Sequence, residues 1–398
     1  MRLLEQPRSD LEKQVRVLVI GPFPPPFAGP EMAIKMLLES PLRDEFHLQH
    51  LSTNVRKINV FKGRVGLSMI SSFFRFFSRL IWSLLRFRPA IVYYFVTATK
   101  LGWLGRDVWC IAISRLFGAK VVTHMRAGHF RHRLANANRF EVALIRWACH
   151  RVSWSLVQAP SLKDQFEGLA PSERIKVVPN MIDVDRYVAV PVDEHEFGRI
   201  LFLGHLSVAK GYCELLKIIP QVATRFPDVS FHFAGTKLDK ERNVHHIQST
   251  GNPLPNEDPE TCYQSNIEGR FEANYTFLGM LDEKAKIAAI KSCDFLVLPS
   301  FSEGFSMAIL EAMSMGKPVV CAAVGAMRDF VIDGKHGEVI EPGDTEALAN
   351  AVLKLLSERG YRDQLATENS GYVRQNFTQA VIAEKLGQLF REALVLKQ

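Results

Sequence analysis

Cysteine is sparse in this chain and shows no paired spacing. The six residues, Cys110, Cys149, Cys213, Cys262, Cys293 and Cys321, are scattered, several of them inside apolar runs. That argues against a disulfide framework and makes them reduced core residues of a cytosolic protein by expectation. The first strand-like run is not followed by G-x-G-x-x-G, so dinucleotide binding is a weak reading. The N-terminus opens on charged and polar residues where a signal region would be apolar, so export is not expected. No tandem repeat of fixed period is evident. Acidic residues are absent between His47 and Arg106, a stretch that holds ten basic ones. Within it runs an aromatic and basic series: Phe73, Phe74, Arg75, Phe76, Phe77, Arg79, Trp82, Arg86, Phe87 and Arg88. Arg75 and Arg79 interrupt this segment and Arg86 follows within two turns, which disfavours a membrane-spanning helix. A basic helix with aromatic residues reads as an interfacial membrane element. The plainer reading is an amphipathic helix packed on a sheet, with arginines at its margin. The charge bias favours the membrane, because residues 1–190 hold 28 Lys and Arg against 14 Asp and Glu, and residues 191–398 hold 21 against 28. Nucleic acid is disfavoured as a partner, since no recognition motif accompanies the charge.

What is present is enough for two cores: 398 residues, 47% of them hydrophobic. Strand-like apolar runs alternate with helical patterns. The first is Val15 to Ile20; the others are Ile91 to Val96, Val121 to His124, Ser155 to Gln158, Ile200 to Leu203, Phe231 to Ala234, Tyr275 to Leu278, Phe295 to Leu298 and Val319 to Ala322. This alternation predicts an α/β chain with two doubly wound parallel sheets. Ligands of such sheets bind beyond the carboxyl ends of the strands, where Gly29, His124, His205 and Glu303 all fall.

The most informative segment runs from Glu303 to Glu311. A buried-strand run, Asp294 to Leu298, is ended by Pro299, and the helix that follows stops at Gly316 with Pro318 beyond. Gly304 and Ser306 lie at the helix start, where unpaired N–H groups and the helix dipole favour an anionic, phosphate-like ligand. Glu303 stands beside that position. Glu311, more than a turn into the helix between Leu310 and Ala312, requires a hydrogen-bond partner, and a ligand hydroxyl is one candidate. Taken alone, the pair could be a helix N-terminal acid plus a solvated helical Glu.

Flanking segments change that weighting. Glu303, Glu311 and the following Gly316-Lys317-Pro318-Val319-Val320 resemble the E-x7-E signature of the family 4 retaining glycosyltransferases. Leu201-Phe202-Leu203-Gly204-His205-Leu206 with Lys210-Gly211 is similar to that family's G-R-L…K-G segment, with His205 where Arg is usual. Val177-Val178-Pro179-Asn180-Met181-Ile182-Asp183 resembles its interdomain V-P-N-G-I-D segment, Met181 replacing Gly. Gly21 to Glu31 resembles its proline-rich loop with a Gly-Gly step, where Gly29 is kept and Pro30 replaces the second glycine. His124, ending a strand, matches the family's active-site histidine, although a strand-end His alone is more often a structural residue.

The resemblance implies a GT-B fold: two Rossmann-like domains facing a central cleft. The expected divisions are an acceptor-side domain over 1–190, a nucleotide-sugar domain over 191–376, and a C-terminal helix over 377–398 that returns to the first domain. It implies that Glu303 meets the donor sugar's hydroxyls, Glu311 the ribose, and the backbone of Gly304, Phe305 and Ser306 the diphosphate. Gly29, His205 and Lys210 would complete donor binding, with His124, Glu303 and Lys210 as the catalytic set. Arg75, Arg79, Arg86 and Arg88 would mark the membrane and acceptor side. The implied reaction is retaining hexosyl transfer from a nucleotide diphosphate-sugar to a hydroxyl. The acceptor is expected on a lipid-linked glycan or glycolipid in cell-surface polysaccharide synthesis, at the inner face of the cytoplasmic membrane. No cofactor and no metal are expected. Asp183-Val184-Asp185 belongs to the hinge motif, and His245-His246 lies in a polar stretch, Thr236 to Arg270, that reads as a solvated insertion. Two alternatives remain open: a nucleotide-sugar epimerase of the same fold, and a non-catalytic nucleotide-sugar-binding or membrane-scaffolding protein.

Overall fold

The computed structural model describes residues 14–25, 29–54, 67–188, 197–238 and 244–396, with the backbone alone at 67–71 and 188. Pro26 to Ala28 of the proline-rich loop and the expected domain boundary at 190 and 191 lie outside these residues. The chain divides into two compact units. The first comprises Met1–Gln158, Lys163–Met181 and Gln379–Gln398; the second comprises Ala159–Leu162 and Ile182–Thr378.

The first unit is built on β1 (Val15–Gly21), β2 (Phe46–Ser52), β3 (Ile91–Val96), β4 (Lys120–Met125), β5 (Trp154–Val157) and β6 (Ile175–Val177). All neighbouring strands are parallel, in the order β2-β1-β3-β4-β5-β6. The inner strands are continuous apolar runs such as Ile91-Val92-Tyr93-Tyr94-Phe95-Val96, buried at every position. Burial without alternation is what a parallel sheet covered by helices on both faces requires. The covering helices include α1 (Gly29–Glu39), α2 (Leu67–Phe87), α3 (Val108–Leu116) and α4 (Arg139–Cys149). In α2 the side chains of Phe76, Leu80, Ser83 and Leu84 face inward, while Phe74, Trp82 and Leu85 are exposed. Arg88 closes this helix with φ +47°, the one described non-glycine residue in the left-handed region. Met181 therefore occupies the family's glycine position without a left-handed backbone. The terminal helix, Gln379–Val395, packs in this first unit. Its Phe390 is fully buried against Phe46 and Tyr93, with ring centroids at 5.5 and 5.6 Å, and burial of such a ring contributes about 3 kcal/mol.

The second unit contains β7 (Arg199–Leu203), β8 (Ser230–Ala234), β9 (Tyr275–Gly279), β10 (Phe295–Leu298), β11 (Val319–Ala322) and β12 (Gly337–Ile340). These strands are also all parallel, in the order β12-β11-β10-β7-β8-β9. Strand order reverses between β7 and β10 here, and between β1 and β3 in the first unit. In open parallel sheets the crevice at such a reversal is where ligands are held. Four helices of this unit concern the site: α5 (Tyr212–Arg225), α6 (Pro259–Asn266), α7 (Glu283–Lys291) and α8 (Met307–Ser314).

Candidate active site

Two loops leave the carboxyl ends of β7 and β10 and are joined by direct bonds. After β7 the chain turns through a short 3-10 stretch, Val208–Lys210, into Gly211 at φ +72°. A Cβ on Gly211 would lie 2.1 Å from the Pro299 carbonyl oxygen, so only glycine fits both the angle and the space. Beside it, the Phe301 N–H donates to the Ala209 carbonyl at 2.9 Å. This close seating brings Lys210 Nζ within 2.6 Å of Glu303 Oε1. The Ser300 hydroxyl donates to the same oxygen at 2.8 Å. Glu303 is 9% exposed, and a carboxylate so buried is stable only when paired in this way.

The backbone of this loop is held from two further sides. The Glu303 N–H donates to Gln248 Oε1 at 2.9 Å, and the Gln248 N–H donates to the Phe301 carbonyl at 2.9 Å. Gln248 belongs to the polar stretch that reads from sequence as a solvated insertion. The structure corrects that reading, because this part of the stretch supports the loop that carries Glu303. On the other side the Ala326 N–H donates to the Gly304 carbonyl at 2.8 Å, and a Cβ on Gly325 would lie 2.1 Å from the Glu303 carbonyl oxygen.

Helix α8 begins at Ser306, whose hydroxyl accepts from the Ile309 N–H at 3.4 Å. The Phe305 ring is buried and stacks on Phe330 with centroids 4.4 Å apart, so a contact between this residue and a ligand must come from its backbone. Glu311 is 6% exposed, and Lys286 from α7 donates to its Oε1 at 2.6 Å. The partner that this carboxylate needed is thus a protein ammonium group. His205 is exposed just beyond β7. Two lysine–glutamate pairs, an exposed histidine and a helix start therefore gather at the strand-order reversal of the second unit.

Gly29 and His124 are in the first unit. Gly29 opens α1, and a Cβ there would meet nothing within 4 Å. His124 is 1% exposed inside β4, and its Nδ1 is hydrogen-bonded to the Tyr93 hydroxyl at 2.7 Å. Burial, and then the Arg126 charge, hold its pKa well below the ordinary histidine value, so the ring is neutral. Burial also lowers Arg126 to about 10; its guanidinium lies over the Phe95 ring and bonds Asn180 of the hinge motif. Ser52, Thr53, Asn54, Ser72, Arg75, Phe76 and Arg79 line a cavity of about 180 Å³ beyond the carboxyl end of β2. Arg86 and Arg88 are exposed toward the end of α2, with the Arg86 guanidinium 5.7 Å from the Trp82 ring centroid.

Residues 198–358 match the family described as glycosyl transferases group 1. Over 317 residues the chain is 25% identical to a D-inositol 3-phosphate glycosyltransferase of Corynebacterium glutamicum, spanning 74% of this chain and 70% of that protein. It is 29% identical over 231 residues to a phosphatidyl-myo-inositol mannosyltransferase of Mycobacterium leprae, spanning 57% of this chain and 55% of that protein. Among solved structures, the Anabaena protein HepE in complex with UDP superposes with a TM-score of 0.69 at 16% identity, covering 95% of this chain and 100% of HepE. Likeness at that identity concerns the fold, which is GT-B.

Proposed function

We propose that this chain is a group 1 glycosyltransferase, the family whose model residues 198–358 match, and that it moves a sugar from a nucleotide diphosphate-sugar to an acceptor hydroxyl with retention. The observation that carries this is the Lys210–Glu303 pair at 2.6 Å, set at the strand-order reversal of the second unit. In the transfer the bond from the anomeric carbon to the diphosphate breaks, and one to the acceptor oxygen forms. Negative charge collects on the leaving diphosphate and positive charge on the sugar. Catalysis is then chiefly positioning and electrostatic stabilisation.

In this reading Glu303 orients the donor sugar through its hydroxyls, and Lys210 lies between that carboxylate and the diphosphate. The start of α8, with the backbone of Gly304, Phe305 and Ser306, supplies N–H groups to the phosphates. Glu311, held by Lys286, receives the ribose. His205 adds a donor at the phosphates. His124 acts as a neutral group that fixes the end of β4. The HepE complex, which holds UDP, supports a nucleotide-sugar as donor. The departing phosphate takes the acceptor's proton, so neither a separate protein base nor a metal ion is assigned to the transfer.

The acceptor reading rests on the first unit. The two arginines and the hydroxyls around the small cavity suit an anionic group such as an acceptor phosphate. Trp82, Trp109 and Trp147 are exposed on α2, α3 and α4, and α3 packs against both other helices. With Arg75, Arg79, Arg86 and Arg88 they form an aromatic and basic surface suited to an anionic membrane. Among the described residues no helix is long and apolar enough to cross a membrane. The M. leprae relative, whose name specifies a phosphatidylinositol acceptor, supports an acceptor carried on lipid.

The test is thermal stabilisation and slow hydrolysis across UDP-, GDP-, ADP- and TDP-sugars, in the wild type, Glu303→Ala and Lys210→Ala. A donor present at 100 times its Kd stabilises the native state by about 2.7 kcal/mol. The expected result is one donor class that stabilises and turns over in the wild type and does neither in the variants. If no donor stabilises the wild type, the reading fails.

A further inference from the structure

We propose that Cys213, Glu257 and Cys262 form a binding site for a single zinc ion. The site is separate from the Glu303 carboxylate, yet it is built on two segments that support the Glu303 loop. Cys213 lies in the first turn of α5, directly after Lys210 and Gly211. Cys262 lies in α6, within the same polar stretch as Gln248. In sequence the two cysteines are 49 positions apart, so spacing gives no hint of the cluster.

Local structure explains how the donors meet. Asp258 caps α6 by accepting from the Thr261 N–H at 2.9 Å, and Pro259 opens the helix. Glu257 is then the residue before the cap and Cys262 the fourth residue of the helix, two positions whose side chains ordinarily pack together across a helix start. Cys262 Sγ accordingly lies 3.6 Å from Glu257 Oε2. Helix α5 packs against α6 and adds the Cys213 sulfur, so that one donor atom from each residue lies within 4.8 Å of the other two. Among the described residues no other group of three histidine, cysteine or acidic side chains is so arranged.

Distances, charge and access suit zinc. Zinc–sulfur bonds of about 2.3 Å and zinc–oxygen bonds of about 2.0 Å place the two donors of a tetrahedron about 3.5 Å apart, close to the Cys262–Glu257 separation. Lys217 bonds Glu257 through the other oxygen, Oε1, at 2.5 Å, which leaves Oε2 on the sulfur side. Two thiolates and a carboxylate against zinc and the Lys217 ammonium sum to zero charge. Glu214, 3% exposed and 3.6 Å from Lys217, carries a buried Oε2 without a hydrogen-bond partner and adds a further demand for positive charge. Soft sulfur donors with one carboxylate select zinc over magnesium or calcium. Cys213 is fully buried, whereas the Glu257 side chain is 28% exposed, which gives an ion a way in and leaves a fourth position toward solvent. An ion here would tie α5, which follows the Lys210–Gly211 turn, to the segment whose Gln248 holds the Glu303 backbone.

The test is titration of the reduced, metal-stripped full chain with Co2+, read by absorption, followed by displacement with Zn2+. The expected result is a thiolate-to-cobalt charge-transfer band with strong ligand-field bands, saturating at one equivalent and bleached by zinc. Cys262→Ser and Cys213→Ser should abolish the charge-transfer band. Glu257→Gln, at a partly exposed position that leaves both sulfurs in place, should keep the band and weaken zinc binding by about 10-fold or more. A reduced wild type that yields no charge-transfer band overturns the proposal. So does a band that survives unchanged in Cys262→Ser, or zinc binding that is unaltered in Glu257→Gln.

Discussion

The two units share one plan, six parallel strands with a single reversal of order, and differ in what stands at the carboxyl ends of their strands. In the second unit the loops after β7 and β10 bring Lys210 to Glu303, with Lys286 on Glu311 in the helix beyond. In the first unit the corresponding end of the sheet carries arginines, hydroxyls and a buried neutral histidine, within a half of the chain that has twice as many basic as acidic residues. A doubly wound sheet supplies a crevice and little else; the loops decide its chemistry. Carboxylates paired with lysine suit the hydroxyls and phosphates of a sugar nucleotide, and a basic surface suits an anionic acceptor or lipid.

The comparison can be tested at matched positions. Gly211 follows Lys210 in the turn after β7, and Gly29, which opens α1, is the glycine of the first unit read from the sequence as donor-binding. Gly211→Ala should destabilise the chain by more than about 2 kcal/mol, since it combines a left-handed backbone angle with a collision against the Pro299 carbonyl. Gly29→Ala, which meets nothing within 4 Å, should change stability by less than about 0.5 kcal/mol while lowering donor turnover. Chemical denaturation beside an activity assay separates the two; equal stability losses would show that both glycines serve only the fold.

A somewhat smaller effect is expected at the basic face. Arg75→Gln combined with Arg79→Gln should weaken binding to anionic vesicles by about 2 kcal/mol, roughly 30-fold, leave neutral vesicles unaffected, and barely move the Tm. Unchanged partition onto anionic vesicles would remove the membrane from the account of the first unit.

The smallest expected effect concerns His124. Its folded-state pKa is depressed by burial, so its contribution to stability is present above the unfolded value of 6.5 and is lost as pH falls below it. The wild type should lose Tm between about pH 7 and about pH 5, and His124→Phe should show a shallower loss over that window. His47, His50 and His336 are also lowered, so some slope will persist in the variant. Identical slopes would mean that the ring is protonated without cost in the native state.

Much of the fold was legible because inner strands of parallel sheets are continuous apolar runs. Ile91 to Val96, Phe295 to Leu298 and Val319 to Ala322 are bounded in the structure as in the sequence reading. The strands that escaped notice, β2, β6 and β12, are all at sheet edges. Phe46-His47-Leu48-Gln49-His50-Leu51-Ser52 is half polar because one side has no neighbouring strand, β6 is only three residues long, and β12, Gly337-Glu338-Val339-Ile340, is interrupted by a glycine and an acid. The loop of Glu303 was legible for a different reason, since its residues are contiguous and sit between a strand and a helix start. Lys286, Gln248 and the Cys213–Glu257–Cys262 group were not, because each reaches its partners from a distant segment and no local pattern marks the approach. Ser300 was within reach, three residues before Glu303 and directly after the proline that ends the strand.

The Gln248 bond to the Glu303 backbone bears on how this protein could be recombined with its relatives. Crossovers are usually cut at strand–helix module boundaries, which here would move β10, its loop and α8 as one block. Such a chimera would separate Glu303 from the side chain that fixes its N–H, and would present an intact signature on a slack loop. The transferable unit for this carboxylate is therefore discontinuous: residues 295–314 need the short segment around Gln248 as well as the β7 loop that carries Lys210.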